Sequence, residues 1–192
     1  MLKILGGEFR SRLLQIPPGN ETRPMGARTK AAVFNILRGW FSDANVLDLY
    51  AGVGTMGLEA ASLGARRVVC VEQNRYIADY LRANVITLKC GDRVQVVQTD
   101  ALGPGAVAAA PQPVDIAFID PPFELMRSEE GRARVLAQIR ALHAAMAPKS
   151  FVVLRSPEKP NPVADRVEGF DGPETHDYGA EQHVLLYAPQ HA

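Results

Sequence analysis

The sequence predicts an α/β fold, a mostly parallel sheet with helices on both faces. Three observations predict it. Short apolar runs rich in β-branched residues recur five times between residues 46 and 155, and helical stripes separate most of them. A glycine turn, Gly52-Val53-Gly54, follows the first run and opens a helix. Acids close the successive runs, at Asp48, Glu72, Asp100 and Asp120, and a parallel sheet brings its strand ends to one edge.

Each element follows from local signals. Residues 1–20 read as a short N-terminal β-hairpin arm, punctuated by Gly6-Gly7 and ended by Pro17-Pro18-Gly19, and residues 21–192 as the main domain. Val33, Ile36, Leu37 and Trp40 recur at helical spacing and predict a helix over residues 29–41. Residues 46–50 make the first strand, and a helix follows over residues 56–63, stopped by Gly64. Residues 68–72 make the second strand. Ile77, Leu81, Val85 and Leu88 mark the next helix, which ends before Gly91. Residues 94–99 make the third strand, and residues 102–113, rich in Ala, Gly and Pro, read as a loop with room for a short helix. Residues 114–120 make the fourth strand. Val135, Ile139 and Leu142 mark a helix over residues 129–146, and residues 151–155 make the fifth strand. Residues 167–170 and 183–187 read as a closing antiparallel pair.

Composition narrows the function. The chain has 192 residues, 47% hydrophobic and 22% charged, which suits one globular domain with a small appendage. No apolar run approaches bilayer length, and the charges and glycines after Met1 do not read as a signal peptide. Cys70 and Cys90 lack metal-ligand spacing, and the four histidines are scattered, so a reduced cytoplasmic protein without a metal is expected. Net charge is zero but uneven. Residues 1–30 hold Lys3, Arg10, Arg12, Arg23, Arg28 and Lys30 against Glu8 and Glu21. A basic arm on an acidic domain points to a polyanion, nucleic acid first, with Arg10, Arg12 and Arg28 as candidate RNA contacts.

The chemistry concentrates at the end of the fourth strand. Val114-Asp115-Ile116-Ala117-Phe118-Ile119 runs into Asp120-Pro121-Pro122-Phe123, where the prolines cannot continue a central strand. A planar amino group can donate to the Asp120 carboxylate and the Pro121 carbonyl while Phe123 stacks on the base face and Pro122 stiffens the turn. That geometry aims a nitrogen lone pair at an electrophile. Beside it, Ala51, Gly52 and Gly54 let backbone approach a ligand. Glu72, 24 residues after Asp48 and followed by Gln73, suits the two hydroxyls of a ribose. Asp100-Ala101 can accept from an adenine amino group, although Asp100 alone could equally be a helix cap. Gly52-Val53-Gly54-Thr55-Met56-Gly57 also matches the dinucleotide pattern G-x-G-x-x-G, which by itself is weak. No His, Tyr or Lys is placed for hydride transfer, and no second substrate domain fits in this length, so an NAD(P)-binding oxidoreductase ranks lower. A nucleic-acid-binding module without catalysis would leave the Asp-Pro-Pro-Phe turn without a role.

Beyond these local signals, nearly the whole chain resembles the bacterial small-subunit (16S) rRNA guanine-N2 methyltransferases. The resemblance is carried by Leu5-Gly6-Gly7-Glu8-Phe9-Arg10-Ser11-Arg12-Leu13-Leu14, Thr22-Arg23-Pro24, Arg28, Phe34-Asn35-Ile36-Leu37, Leu47-Asp48-Leu49-Tyr50-Ala51-Gly52-Val53-Gly54, Gly57-Leu58-Glu59-Ala60, Asp120-Pro121-Pro122-Phe123, Tyr178-Gly179 and Leu186-Tyr187. It implies a Rossmann-like class I fold with a seven-stranded sheet ending in an antiparallel hairpin strand. It also implies S-adenosyl-L-methionine as methyl donor and one guanine of 16S rRNA as target; a monomer acting on rRNA or a small-subunit assembly intermediate is expected. The resemblance makes Arg23, Asp48, Ala51, Gly52, Gly54, Glu72, Gln73, Asp100 and Ala101 cofactor contacts and Asp120, Pro121, Pro122 and Phe123 catalytic. The chain departs from the family at Met25, after Arg23-Pro24, at Thr29-Lys30-Ala31, where Val-Arg-Glu is common, and at Val53, where Ser is usual. The turn itself can hold adenine, cytosine or guanine, so amino methylation of adenine in DNA or of another RNA stays open.

Overall fold

The β-branched runs pair because each is apolar on both sides and can be buried only inside a sheet. In the computed structural model, which describes residues 2–19 and 25–190, they form β1 (Asn45–Leu49), β2 (Arg67–Val71), β3 (Val94–Val97), β4 (Val114–Ile119) and β5 (Met146–Ser156). β6 (Phe170–Asp177) and β7 (His183–Pro189) complete one seven-stranded sheet of order β3-β2-β1-β4-β5-β7-β6. β1 to β5 pair in parallel, and β7 runs antiparallel to both β5 and β6. The order reverses at β1, between β2 and β4, which opens a crevice at the carboxyl ends of those strands.

Strand side chains alternate between faces with period two. Val46, Val68, Ile116, Phe118 and Val153 pack on one face with α1 (Ala27–Ile36), α2 (Gly57–Ser62) and α3 (Arg75–Leu88). Leu47, Leu49, Ala117, Ile119 and Leu154 pack on the other with α4 (Pro104–Ala109), α5 (Phe123–Arg127) and α6 (Glu129–Leu142). Helices thus cover both faces, as the alternation of periods predicts.

The N-terminal segment doubles back, but as an irregular ribbon with one antiparallel bridge, Lys3 to Leu13, instead of a two-stranded hairpin. It does not project. Ile4, Phe9 and Leu14 are buried in the core of the first face. Its backbone is tied down by helix side chains. Glu59 accepts from the N–H groups of Leu5 (2.9 Å) and Gly6 (2.7 Å), and Ser62 Oγ accepts from Phe9 (2.8 Å). Lys30 closes this region with a buried ion pair to Glu59 at 2.7 Å, which gives that departure from the family pattern a structural role.

Four boundaries differ from the periodicity. α1 starts earlier and stops at Ile36, because Gly39 takes φ +89° and turns the chain; Trp40 then packs edge-on against Phe151. α5 precedes α6, separated by Ser128, whose Oγ caps α6 by accepting from Gly131 N–H at 3.0 Å. The expected helix to residue 146 stops short, since Met146 already pairs with Val114. β6 begins at Phe170 instead of ending there. It is an edge strand with mostly exposed residues and a register shift between Asp171 and Glu174, so it carries no apolar alternation to read.

Candidate active site

A cleft of about 610 Å³ opens at the carboxyl ends of β1, β2 and β4. Tyr50, Ala51, Gly52, Val53 and Thr55 from the turn after β1 line it, with Glu72 and Gln73 after β2, Ala101 after β3 and Asp120-Pro121-Pro122-Phe123 after β4. The strand-end reasoning therefore brings most of its candidates to one place.

The glycine turn is built by close packing. Gly54 has φ +94°, and a Cβ there would lie 2.4 Å from Leu81 Cδ1 and 2.8 Å from Leu58 Cδ1. Only a glycine allows this turn to sit on α2 and α3. Asn84 of α3, buried, holds it from below: its Nδ2 donates to Val53 O (3.0 Å) and Gln15 O (3.1 Å), while its Oδ1 accepts from Gln15 N–H (2.7 Å). Glu72 is oriented at the cleft by two backbone donors, Gly52 N–H at 3.0 Å and Asn74 N–H at 2.8 Å.

Three expected cofactor residues do not line the cleft directly. Asp48 does not line the cleft. It is buried on the α2 side of the sheet and accepts from Gly57 N–H at 2.8 Å, so it fixes the start of α2 behind the glycine turn. Burial, the largest influence, pushes its carboxyl up to about 8 against the opposing Gly57 hydrogen bond. Gly54 likewise shapes the turn without facing the cavity, and Asp100 is exposed, closing a local turn by accepting from Leu102 N–H at 2.9 Å. Arg23, with Thr22 and Pro24, lies outside the described residues.

The structure adds charges that the motif search missed. Arg155, at the end of β5, donates from Nε to Asp120 Oδ1 and places its guanidinium carbon 4.7 Å from the Phe123 ring centroid. Arg127 of α5 lies 5.7 Å from the same ring and pairs with Glu181 of the β6–β7 turn. Burial raises the Asp120 carboxyl above the usual carboxylate range, and Arg155 opposes that rise. The strand-end rule that found Asp120 also finds Arg155 once applied to the fifth strand. Glu124, Arg127 and Glu181 belong to a short helix and a turn that carry no such pattern.

The candidate RNA contacts divide. Arg28 is exposed in the first turn of α1, next to Thr29, whose hydroxyl meets Gln182 Oε1 of the β6–β7 turn at 3.3 Å. Arg10 is exposed at the bend of the N-terminal segment, and Arg12 donates to Thr87 O at 3.3 Å in the last turn of α3. That helix spans 14 residues, about 20 Å, and its other end lies beside Glu72. Among the described residues no helix is long and apolar enough to cross a membrane, and no cluster of His, Cys, Asp and Glu could hold a metal ion.

A seven-stranded sheet of this order with an antiparallel β7, and a ligand cleft at its topological switch point, define the chain as a protein of the class I methyltransferase fold. More specifically, the chain belongs to the family described as Conserved hypothetical protein 95, whose sequence model matches residues 2–187. It is 36% identical over 129 residues to "Ribosomal RNA small subunit methyltransferase D" of Escherichia coli, a match that covers 67% of this chain and 64% of that protein. A broader match, 28% identical, covers 86% of this chain and 90% of "Putative rRNA methyltransferase YlbH" of Bacillus subtilis. The solved structure "Putative methyltransferase yhhF from Escherichia coli" superposes with a TM-score of 0.77 over 98% of both chains at 29% identity.

Proposed function

We propose that the chain transfers a methyl group from S-adenosyl-L-methionine to the exocyclic N2 amine of a guanine in small-subunit rRNA. One observation carries the reading: Asp120 and the Asp-Pro-Pro-Phe turn share a cleft with the glycine turn and Glu72. The donor set fits the cofactor, since Glu72 offers a fixed carboxylate to ribose hydroxyls, Ala51 and Gly52 let backbone approach, and Ala101 supplies a small apolar wall. S-adenosyl-L-methionine, when bound, supplies an electrophilic methyl on a positive sulfonium. Asp120 and the Pro121 carbonyl accept the two amine hydrogens and set the direction of the nitrogen lone pair. Pro122 holds the turn and Phe123 offers a ring face to the base. Catalysis is then mostly positioning, with no strong base, because the amine proton becomes acidic only once the methyl has arrived. A stacked target base must be flipped out to reach this turn.

The relatives named for rRNA methylation support the choice of RNA, and an acceptor-only carboxylate at Asp120 suits an amino donor. Arg28 near the rim, and Arg10 and Arg12 on the N-terminal segment away from it, supply phosphate contacts. The working setting is a cytoplasmic monomer acting on rRNA or a small-subunit assembly intermediate, consistent with Cys70 and Cys90 being free and buried. Asp120→Ala tests the reading. Methyl transfer is expected to vanish while affinity for S-adenosyl-L-methionine stays within about tenfold. Full turnover in that variant would make the turn merely structural.

A further inference from the structure

Arg155 is 6% exposed, deep for a side chain that must stay charged. It touches both chemical groups of the Asp-Pro-Pro-Phe turn. Its Nε occupies Asp120 Oδ1, and its guanidinium lies on the Phe123 ring at 4.7 Å, within cation–π range. Among the described residues, the other charged groups that line the cleft with Asp120 or interact with it are Asp48 on β1, Glu72 after β2, Glu124 and Arg127 on α5, and Glu181 on the β6–β7 turn. All but Arg127 are acids, and Arg127 is engaged by Glu181. Among the described residues Arg155 is therefore the cation that answers the Asp120 charge directly.

We propose that Arg155 is a positioning residue of the methyl transfer: it holds Asp120 as an ionised acceptor with Oδ2 turned to the target amine, and backs the Phe123 ring so that the base takes the other face. The proposal rests on the reading of Asp120 as the amine's acceptor. It assigns two jobs to one planar group. The fixed guanidinium fork takes one carboxylate oxygen and so limits Asp120 to a single bond with the amine, the second amine hydrogen going to the Pro121 carbonyl. Its charge opposes the protonation that burial favours, so that an anion faces the nitrogen as it gains positive charge in the transition state.

The test compares kcat–pH profiles of the full chain with Arg155→Met and Arg155→Lys, using small-subunit particles and S-adenosyl-L-methionine. Loss of the cation raises the Asp120 carboxyl, so the acid limb of Arg155→Met is expected to move upward by about one pH unit or more. At neutral pH its kcat should fall by about tenfold or more and recover partly as pH rises, with KM for S-adenosyl-L-methionine nearly unchanged. Arg155→Lys should return the limb toward its original position. A limb that stays put in Arg155→Met overturns the proposal. Should that variant fail to fold, the carbon-13 titration of the Asp120 carboxyl in Arg155→Gln decides, a midpoint above that of the parent chain supporting the role and an equal one overturning it. Full turnover in Asp120→Ala would instead remove the reading beneath it, whereas an inactive Asp120→Ala with an unmoved limb in Arg155→Met removes this inference alone.

Discussion

Asp48 and Asp120 are both acids near strand ends, yet they stand in different surroundings, and depth along the strand decides which. Asp120 follows the last residue of β4 and opens onto the cleft, while Asp48 precedes the last residue of β1 and points to α2. The sequence shows that an acid stands near an edge but not whether it lies inside the strand, because strand ends are set by pairing with segments distant in sequence and carry an uncertainty of a residue or two. Asp48 also carries a pH signature. Its carboxyl rises from 3.8 to about 8 on folding, so the folded state holds a proton that the unfolded state has lost between those values. Its contribution is complete below pH 3.8, declines as pH rises and is gone above about 8. Asp48→Asn keeps an acceptor for Gly57 and removes the titration. Relative to the variant, the parent chain should lose on the order of a few kcal/mol of unfolding free energy between pH 4 and pH 8, read from urea melts. Parallel pH dependence in the two proteins would place the Asp48 titration elsewhere. Glu72 faces the cleft and also accepts from Gly52 and Asn74 N–H, so it acts on ligand both directly and through the turn it holds. Glu72→Ala is expected to weaken S-adenosyl-L-methionine binding by about 1–3 kcal/mol in calorimetry, the scale of lost charge-assisted hydrogen bonds. Unchanged affinity would take Glu72 out of the cofactor site.

Elements whose residues are buried on a regular period were readable, and those stabilised by partners distant in sequence were not. The parallel strands and α3 follow directly from apolar runs and from the stripe Ile77, Leu81, Val85 and Leu88. β6 left no signal because an edge strand has one neighbour and mostly exposed side chains. The N-terminal segment looked like a free arm because its anchors, Glu59, Ser62 and Asn84, are polar residues on other elements. Asn84 links that segment to the glycine turn through one buried amide. Its removal orphans Gln15 N–H and Val53 O together. Asn84→Ala should cost roughly 2–4 kcal/mol of stability and speed hydrogen exchange at Gln15. It should also weaken S-adenosyl-L-methionine binding, since the cofactor turn loses its floor. A variant that loses stability but keeps full cofactor affinity would show that the turn is held by Leu58 and Leu81 packing alone.

At the scale of the molecule, the parallel sheet gathers the candidate site residues at one edge, while the basic segment bends away from it. On the proposed function, Arg12 and Arg10 would therefore meet parts of an extended polyanion well away from the reacting base, with Arg28 nearer the rim. Neutralising Arg10 and Arg12 together should lower RNA affinity and reduce the salt slope by about one to two units, leaving cofactor affinity unchanged. An unaltered salt slope would assign the segment a purely structural role through Ile4, Phe9 and Leu14. The candidate site was legible because Asp120-Pro121-Pro122-Phe123 and the glycine turn are each an unbroken run in the sequence. The charge pairs around them were not, because Arg155 and Glu181 arrive from the far end of the chain. The most direct measurement is mass spectrometry of nucleosides from small-subunit particles, RNA and DNA incubated with the protein and labelled S-adenosyl-L-methionine. N2-methylguanosine in small-subunit rRNA is the product this account predicts, and N6-methyladenine in DNA as the sole product would contradict it.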